Sequence, residues 1–161
     1  MPGGMRWPMV AVALAPVVTL VVLRAAVLDL VEVSSGSMEP TYCAGDRLLV
    51  LTVGGAPARG DVVTFAAPDT GETTLKRVAA VDGEELEVSD GVLSVAGVPV
   101  PEPYVDPAAV DATFFGPVVV PEGQVFVLGD EREVSVDSRD FGPVPVASVR
   151  GRVLLRWRSS C

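Results

Sequence analysis

The chain has 161 residues, with 14 prolines and 16 glycines, a formal net charge of −9 and no histidine. That acidity, without any basic stripe, argues against nucleic acid as a partner. The missing histidine excludes a Ser-His-Asp triad, a histidine base and a His-based metal site. In chain order, residues 1–8 are a short start with Arg6 and Trp7, and Met9–Leu23 is an apolar run without a charge. About 20 residues are needed to cross the hydrocarbon. Extended from Trp7 to Leu28, the run is long enough, with Arg24 snorkelling at one end and Trp7 at the other interface. We expect an uncleaved membrane anchor over residues 9–30 and a short cytoplasmic N-terminus over 1–8, with the domain beyond on the outer face. A cleavable secretory signal competes, although its best small-residue site, Val33-Ser34-Ser35, would cut into the serine turn that follows. A buried core helix fits less well, because the run is apolar around its whole circumference.

Ser34-Ser35-Gly36-Ser37-Met38-Glu39-Pro40-Thr41 is a polar turn, in which Gly36 permits φ > 0 and Pro40 biases Glu39 towards an extended conformation. Such a turn can present a hydroxyl with backbone N–H groups around it, as an acyl-transfer nucleophile requires. The ordinary alternative is a Ser/Gly-rich juxtamembrane linker. Tyr42–Asp46 reads as a further turn, and the β-branched run Arg47–Val53 as a core strand. After a Gly/Pro turn come a strand over Val62–Phe65, a hairpin loop over Pro68–Glu72, and a return strand over Thr73–Val81. Alternation puts Thr74, Lys76, Val78 and Ala80 on one face, and Leu75, Arg77, Ala79 and Val81 on the other.

Lys76 is the one lysine beside eleven arginines. Arginine stays protonated and cannot act as a base, whereas burial lowers a lysine's pKa and frees its amine. The competing reading is an edge-strand lysine that reaches solvent and guards against aggregation. Residues 82–123 change texture and read as an inserted β subdomain. Within them Glu84–Val88 and Gly91–Pro99 form a meander, and a Pro-rich loop runs from Pro101 to Pro107. Val125–Asp130 is a buried strand ending in a turn. Glu131–Pro143 is densely charged and would ordinarily be a solvated loop. Val144–Trp157 alternates towards a last strand. Cys43 and Cys161 lack metal-ligand spacing and can pair only if the C-terminus returns to the first turn, a question the sequence leaves open.

These segments together resemble the bacterial type I signal peptidases. Ser35-Gly36-Ser37-Met38-Glu39-Pro40-Thr41 is similar to that family's Ser-Gly-Ser-Met-x-Pro-Thr box, and Gly60-Asp61-Val62-Val63 to its Gly-Asp-Val-Val segment. Leu75-Lys76-Arg77-Val78 resembles its Lys-Arg-Val box. Gly129-Asp130, with Ser135-Val136-Asp137-Ser138-Arg139 and Gly142, resembles its Gly-Asp-Asn…Ser-x-Asp-Ser-Arg box. Asp90–Gly97 and Glu102-Pro103-Tyr104 are similar to its insert. The boxes run in family order over about residues 20–150.

The resemblance implies a mainly β fold of antiparallel sheets behind one N-terminal transmembrane helix, with a Ser/Lys peptidase domain over 31–161. It makes Ser37 the nucleophile and Lys76 the general base. Ser35 and the Ser37 N–H would form the oxyanion hole, Ser135 would orient the amine, and Asp137, Ser138 and Arg139 would support the site. Met38 and Leu75 fall where the family lines its substrate pockets. It also implies preprotein signal peptides with small residues at −1 and −3 as substrates, a lipid bilayer as partner, no metal or cofactor, and an extracytoplasmic, single-pass location. Three departures bear on loop geometry and efficiency: Glu131 replaces the asparagine after Gly-Asp, Ala80-Val81-Asp82-Gly83 replaces Gly-x-Pro-Gly, and Ser34 replaces the proline before Ser-Gly-Ser. Two rivals are a Ser/Lys peptidase of the self-cleaving repressor type, which lacks an anchor, and a catalytically silent, membrane-tethered β-domain that binds a partner.

Overall fold

A computed structural model describes residues 27–106, 114–159 and 161. Short β-branched runs punctuated by Gly and Pro turns become antiparallel strands; β2, β5 and β6 bury alternate side chains, while β3 and β9 are buried on both faces. The main sheet contains β1 (Leu28–Glu32), β2 (Arg47–Leu51), β3 (Val62–Ala66), β4 (Thr73–Val81), β9 (Gln124–Leu128), β10 (Val144–Pro145) and β11 (Val149–Arg158). A second sheet contains β5 (Glu85–Ser89), β6 (Val92–Val95), β7 (Val98–Pro99) and β8 (Phe115–Val119). The spatial orders are β1-β2-β11-β3-β4-β9-β10 and β7-β6-β5-β8. β11 therefore lies between β2 and β3, far from its sequence neighbours. It passes so close to β2 that a Cβ on Gly151 would meet the Leu51 carbonyl oxygen at 2.7 Å.

The anchor expected over residues 9–30 ends too late. Leu28, Asp29 and Leu30 belong to β1 and pair with Leu51, Val50 and Leu49. The cause is that Leu28–Glu32 matches a neighbouring strand in length and can close the sheet's edge. Met9–Leu23 lies outside the described residues; among the described residues no helix is long and apolar enough to cross a membrane. The single last strand expected over Val144–Trp157 is instead β10, a 3₁₀ turn over Val146–Ser148, and β11. Pro145 supplies no N–H to the ladder, so the strand breaks there.

Three apolar clusters pack the sheets. Val33, Met38, Leu48, Val50, Val62 and Leu75 lie beneath the serine turn. Val63, Phe65, Val78, Val125, Val127 and Val144 form another. Ala79, Ala80, Phe126 and Leu128 join Leu86, Val88, Leu93 and Val95 of the second sheet. β4 reaches all three: Leu75 and Val78 join the first two from opposite faces, and a slip in register against β9 between Val78 and Ala80 lets Ala79 and Ala80 join the third. Alternation thus holds for Lys76 and Val78, but Ala80 turns to the second sheet, contrary to the regular pattern. Such an irregularity re-aims the side chains that follow it.

Cys43 and Cys161 form a disulfide with a Cα–Cα separation of 5.9 Å, which settles the question left open. Arg156 of β11 reinforces that closure: its Nε is 3.3 Å from the Asp46 carboxylate, and its guanidinium donates to the Thr41 carbonyl and lies over the Tyr42 ring.

Candidate active site

The serine turn joins β1 to β2 and is held from below by Met38, which is fully buried in its apolar cluster. The Glu39 N–H donates to the Gly36 carbonyl (2.9 Å) and the Tyr42 N–H to the Met38 carbonyl (2.8 Å), so the backbone turns tightly around Ser37. Gly36 is not among the described glycines at positive φ, contrary to the conformational role expected for it. What it contributes is space: a Cβ there would sit 3.1 Å from the Glu39 carboxylate oxygen. The Ser35 hydroxyl is exposed and 3.3 Å from that of half-buried Ser37. The Ser37 N–H makes no backbone hydrogen bond to a described residue.

Lys76 enters from β4 and is only 3% exposed. Its cross-strand partner is Val63, so it shares its face with the apolar cluster of Val63 and Val78. The amine donates to the Ser135 hydroxyl at 2.9 Å. Burial pulls its pKa from 10.5 down to about 8, against the upward pull of Asp137, while Arg139 lowers it further. An ammonium removed from water loses hydration that a single neutral hydroxyl cannot replace.

The charged stretch after β9 folds into a frame around buried Arg132, Ser135, Asp137 and Ser138, while Glu133, Val134, Val136 and Asp140 stay exposed. It contains a one-turn helix α1 (Ser138–Phe141), capped by Asp137, whose own N–H is bonded by Asp140. Asp137 is 0% exposed. Its carboxylate accepts from the Gly129 N–H (3.0 Å), the Arg139 N–H (3.1 Å) and the Arg139 guanidinium (2.9 and 3.0 Å). Ser138 is buried, and its hydroxyl accepts the Val127 N–H at 3.0 Å, which fastens α1 to β9. Arg139 in turn donates to the Arg132 carbonyl at 2.6 Å. The stretch is charged because its charges satisfy one another and the backbone, which allows them to be buried.

This frame grips the serine turn directly. The Glu131 N–H donates to the Ser37 carbonyl at 3.2 Å. A Cβ on Gly129 would fall 2.2 Å from the Ser135 hydroxyl oxygen and 2.6 Å from the Ser37 carbonyl oxygen, so only glycine fits between turn and frame. Of the residues singled out in the sequence, Lys76, Ser135, Asp137, Ser138 and Arg139 meet in this hydrogen-bonded unit, and Ser35 meets Ser37. No Ser37–Lys76 hydrogen bond is present: the Ser37 hydroxyl meets that of Ser35, and the Lys76 amine that of Ser135. Met38 and Leu75 line a hollow of about 50 Å³ together with Val31, Val33 and Thr64, open beside Ser35 and Ser37. Among the described residues, no group of three His, Cys, Asp or Glu side chains is arranged to hold a metal.

Arg77 and Asp130 were quoted in the motifs without a role. Arg77 makes a two-pronged pair with Asp130, at 2.8 and 2.7 Å, linking β4 to the start of the frame. Their opposite charges in two separate boxes were the available signal. Glu102, Tyr104 and Arg132 also belong to the surroundings of the site, and nothing in local composition marked them.

Residues 6–158 match the family model described as "Signal peptidase, peptidase S26". The chain belongs to the signal peptidase family. It is 36% identical to the probable signal peptidase I-1 of Synechocystis sp., over 93% of this chain and 80% of that one. It is 32% identical to thylakoidal processing peptidase 1 of Arabidopsis thaliana, over 90% of this chain but 46% of that one, so it spans about half the plant protein's length. A crystal structure of a signal peptidase I from Enterococcus faecalis superposes with a TM-score of 0.56 at 37% identity, covering 63% of this chain and 98% of that one. The antiparallel, mainly β architecture is thus a signal peptidase fold.

Proposed function

We propose that this protein is a membrane-anchored serine endopeptidase that removes N-terminal signal peptides from preproteins, with Ser37 as nucleophile and Lys76 as general base. The observation that carries the proposal is the buried lysine, with its pKa drawn to about 8 and its amine held by Ser135 of the frame that grips the serine turn. The reaction begins when the Ser37 hydroxyl attacks the scissile carbonyl carbon and its proton passes to the neutral Lys76 amine. Ser135 accepts one amine N–H, which leaves the nitrogen lone pair free for that proton. The oxyanion receives hydrogen bonds from the Ser35 hydroxyl and the Ser37 N–H. Collapse of the tetrahedral adduct expels the new N-terminal amine, which takes the proton back from the Lys76 ammonium. Water then hydrolyses the Ser37 ester, with Lys76 again accepting a proton.

Asp137, Ser138 and Arg139 act on this sequence indirectly, by fixing the frame that carries Ser135. The hollow beside Met38 and Leu75 suits small side chains, in keeping with small residues at −1 and −3 of the cut. The apolar run Met9–Leu23 supplies the bilayer anchor ahead of β1 and brings membrane-inserted substrates to Ser37. The Cys43–Cys161 disulfide favours the extracytoplasmic face, because such bonds persist in oxidising compartments. Incubating the protein in detergent with a preprotein and sequencing the new N-terminus tests the proposal. Cleavage after a small residue, lost on Ser37→Ala, is the expected result. An intact preprotein, with Ser37 inert to an acylating probe, would leave a silent binding domain instead.

A further inference from the structure

We infer that Glu102 and Tyr104, on the Pro-rich loop of the second sheet, are positioning residues for the peptidase reaction; this rests on the function proposed above. Pro101 and Pro103 restrict the backbone on both sides of Glu102, so its side chain is aimed before it meets a partner. That partner is Arg132 of the frame, at 2.5 Å, with both side chains buried: 9% of the Glu102 side chain and 4% of the Arg132 side chain are exposed. The same Glu102 oxygen accepts the Tyr104 hydroxyl at 3.0 Å. The Tyr104 ring lies 3.8 Å beneath the Arg77 guanidinium, which is paired with Asp130. The two side chains of one short loop therefore grip two arginines, one paired with Asp130 and the other bonded to the Gly129 carbonyl.

From those arginines the contacts run inward to the reacting groups. Arg132 Nε donates to the Gly129 carbonyl at 2.9 Å, and its own carbonyl accepts from Arg139. Gly129 is wedged against Ser135 and the Ser37 carbonyl, while Arg139 holds Asp137. Arg77 is the neighbour of Lys76 on β4. Arg132 is buried, and its Nη1 makes no hydrogen bond to a described residue, so Glu102 is the one carboxylate paired with it among those residues. Without Glu102, a buried guanidinium has no counter-charge and is drawn towards solvent. Its movement pulls on Gly129 and the Arg132 backbone, and through them on Ser135. A loop that merely covered the surface would need neither buried charge nor contacts with two arginines flanking the same turn.

The test compares wild type with Glu102→Gln, Glu102→Asp and Tyr104→Leu in preprotein cleavage across pH 6 to 10, with active-site titration of each sample. In Glu102→Gln we expect kcat to fall about 10- to 100-fold per titrated site, with KM within about threefold. The rising limb of kcat/KM should move above its wild-type position, because a displaced Ser135 admits water and lets Lys76 return towards the ordinary lysine range. Asp137, Asp130 and Asp140 favour the same direction, and Arg139 opposes it. Glu102→Asp should recover part of the loss, since it restores the charge. Tyr104→Leu should shift the limb in the same sense but less, and it tests the inference separately if Glu102→Gln does not fold. A wild-type protein that cleaves nothing would remove the peptidase function and this inference with it. A cleaving wild type whose variants keep its pH limb and its kcat per titrated site would overturn the inference alone. So would a loss confined to the number of titrated sites, because that is the mark of a purely structural loop.

Discussion

The serine turn and the charged frame that faces it solve opposite problems. The turn leaves Ser35 exposed and Ser37 half-buried, and it is stabilised mainly from one side, through Met38. The frame buries Arg132, Ser135, Asp137 and Ser138 and bonds each of them closely, with Arg132 Nη1 the one atom among them left without a described partner. On the function proposed above, a nucleophile must be reachable by a polypeptide, whereas a lysine base must be kept from water to lose its charge. The protein separates the two demands by carrying them on different segments and joining these at Gly129 and the Ser37 carbonyl. Access and dryness then do not compete at a single residue.

Lys76→Arg should break this arrangement most completely. The side chain keeps its charge and much of its size, but guanidinium cannot release a proton, so cleavage by folded protein should fall to background at every pH from 6 to 10. In the wild type, the neutral amine is the active form, so kcat/KM should climb as pH rises through about 8. Substantial cleavage by Lys76→Arg would assign the serine proton to another group. Asp137→Ala attacks the frame through its stability: it removes the carboxylate paired with Arg139 and the acceptor of the Gly129 N–H. Removing one partner of a buried pair costs about 3–5 kcal/mol, readable as a lower denaturant midpoint. Ser35→Ala attacks the turn without disturbing the frame. Loss of one oxyanion donor should slow kcat by about 10²–10³ with KM little changed and the pH limb unmoved. An unchanged rate would take Ser35 out of the hole. Arg47→Ala should do least, because the Arg47–Glu32 pair is exposed on both sides; a stability change of more than about 1 kcal/mol would be unexpected for such a pair.

The two regions were also unequally legible in the sequence. Thr73–Val81 is expected as a strand and is one, and period-two alternation alone places Lys76 on the face of Val78. The serine turn was visible because its apolar flanks and its Gly and Pro are local signals. The frame was not, because Arg132, Asp137 and Arg139 look like solvated charges until their partners are known. Those partners sit at Glu102 and on the Gly129 backbone, which composition does not connect to them. β1 was hidden for another reason: no turn residue separates Leu28–Glu32 from the apolar run before it, so strand and anchor read as one segment. The break in β4 at Ala79 depends on its pairing with β9, and the disulfide on where β11 ends. Neither is a property of any local window.

The position of β11 decides when the two halves of the main sheet can be joined. β2, which follows the serine turn, and β3, which leads to the lysine strand, share no ladder with each other; each is laid against β11. Without residues 149–158 the main sheet has no backbone ladder between its β1-β2 part and its β3-β4-β9-β10 part, and the two would touch only through side chains and the Glu131–Ser37 contact. Bringing the Ser37 hydroxyl into register with the Lys76 amine is therefore a long-range step in folding, expected to be completed when β11 docks between its two neighbours.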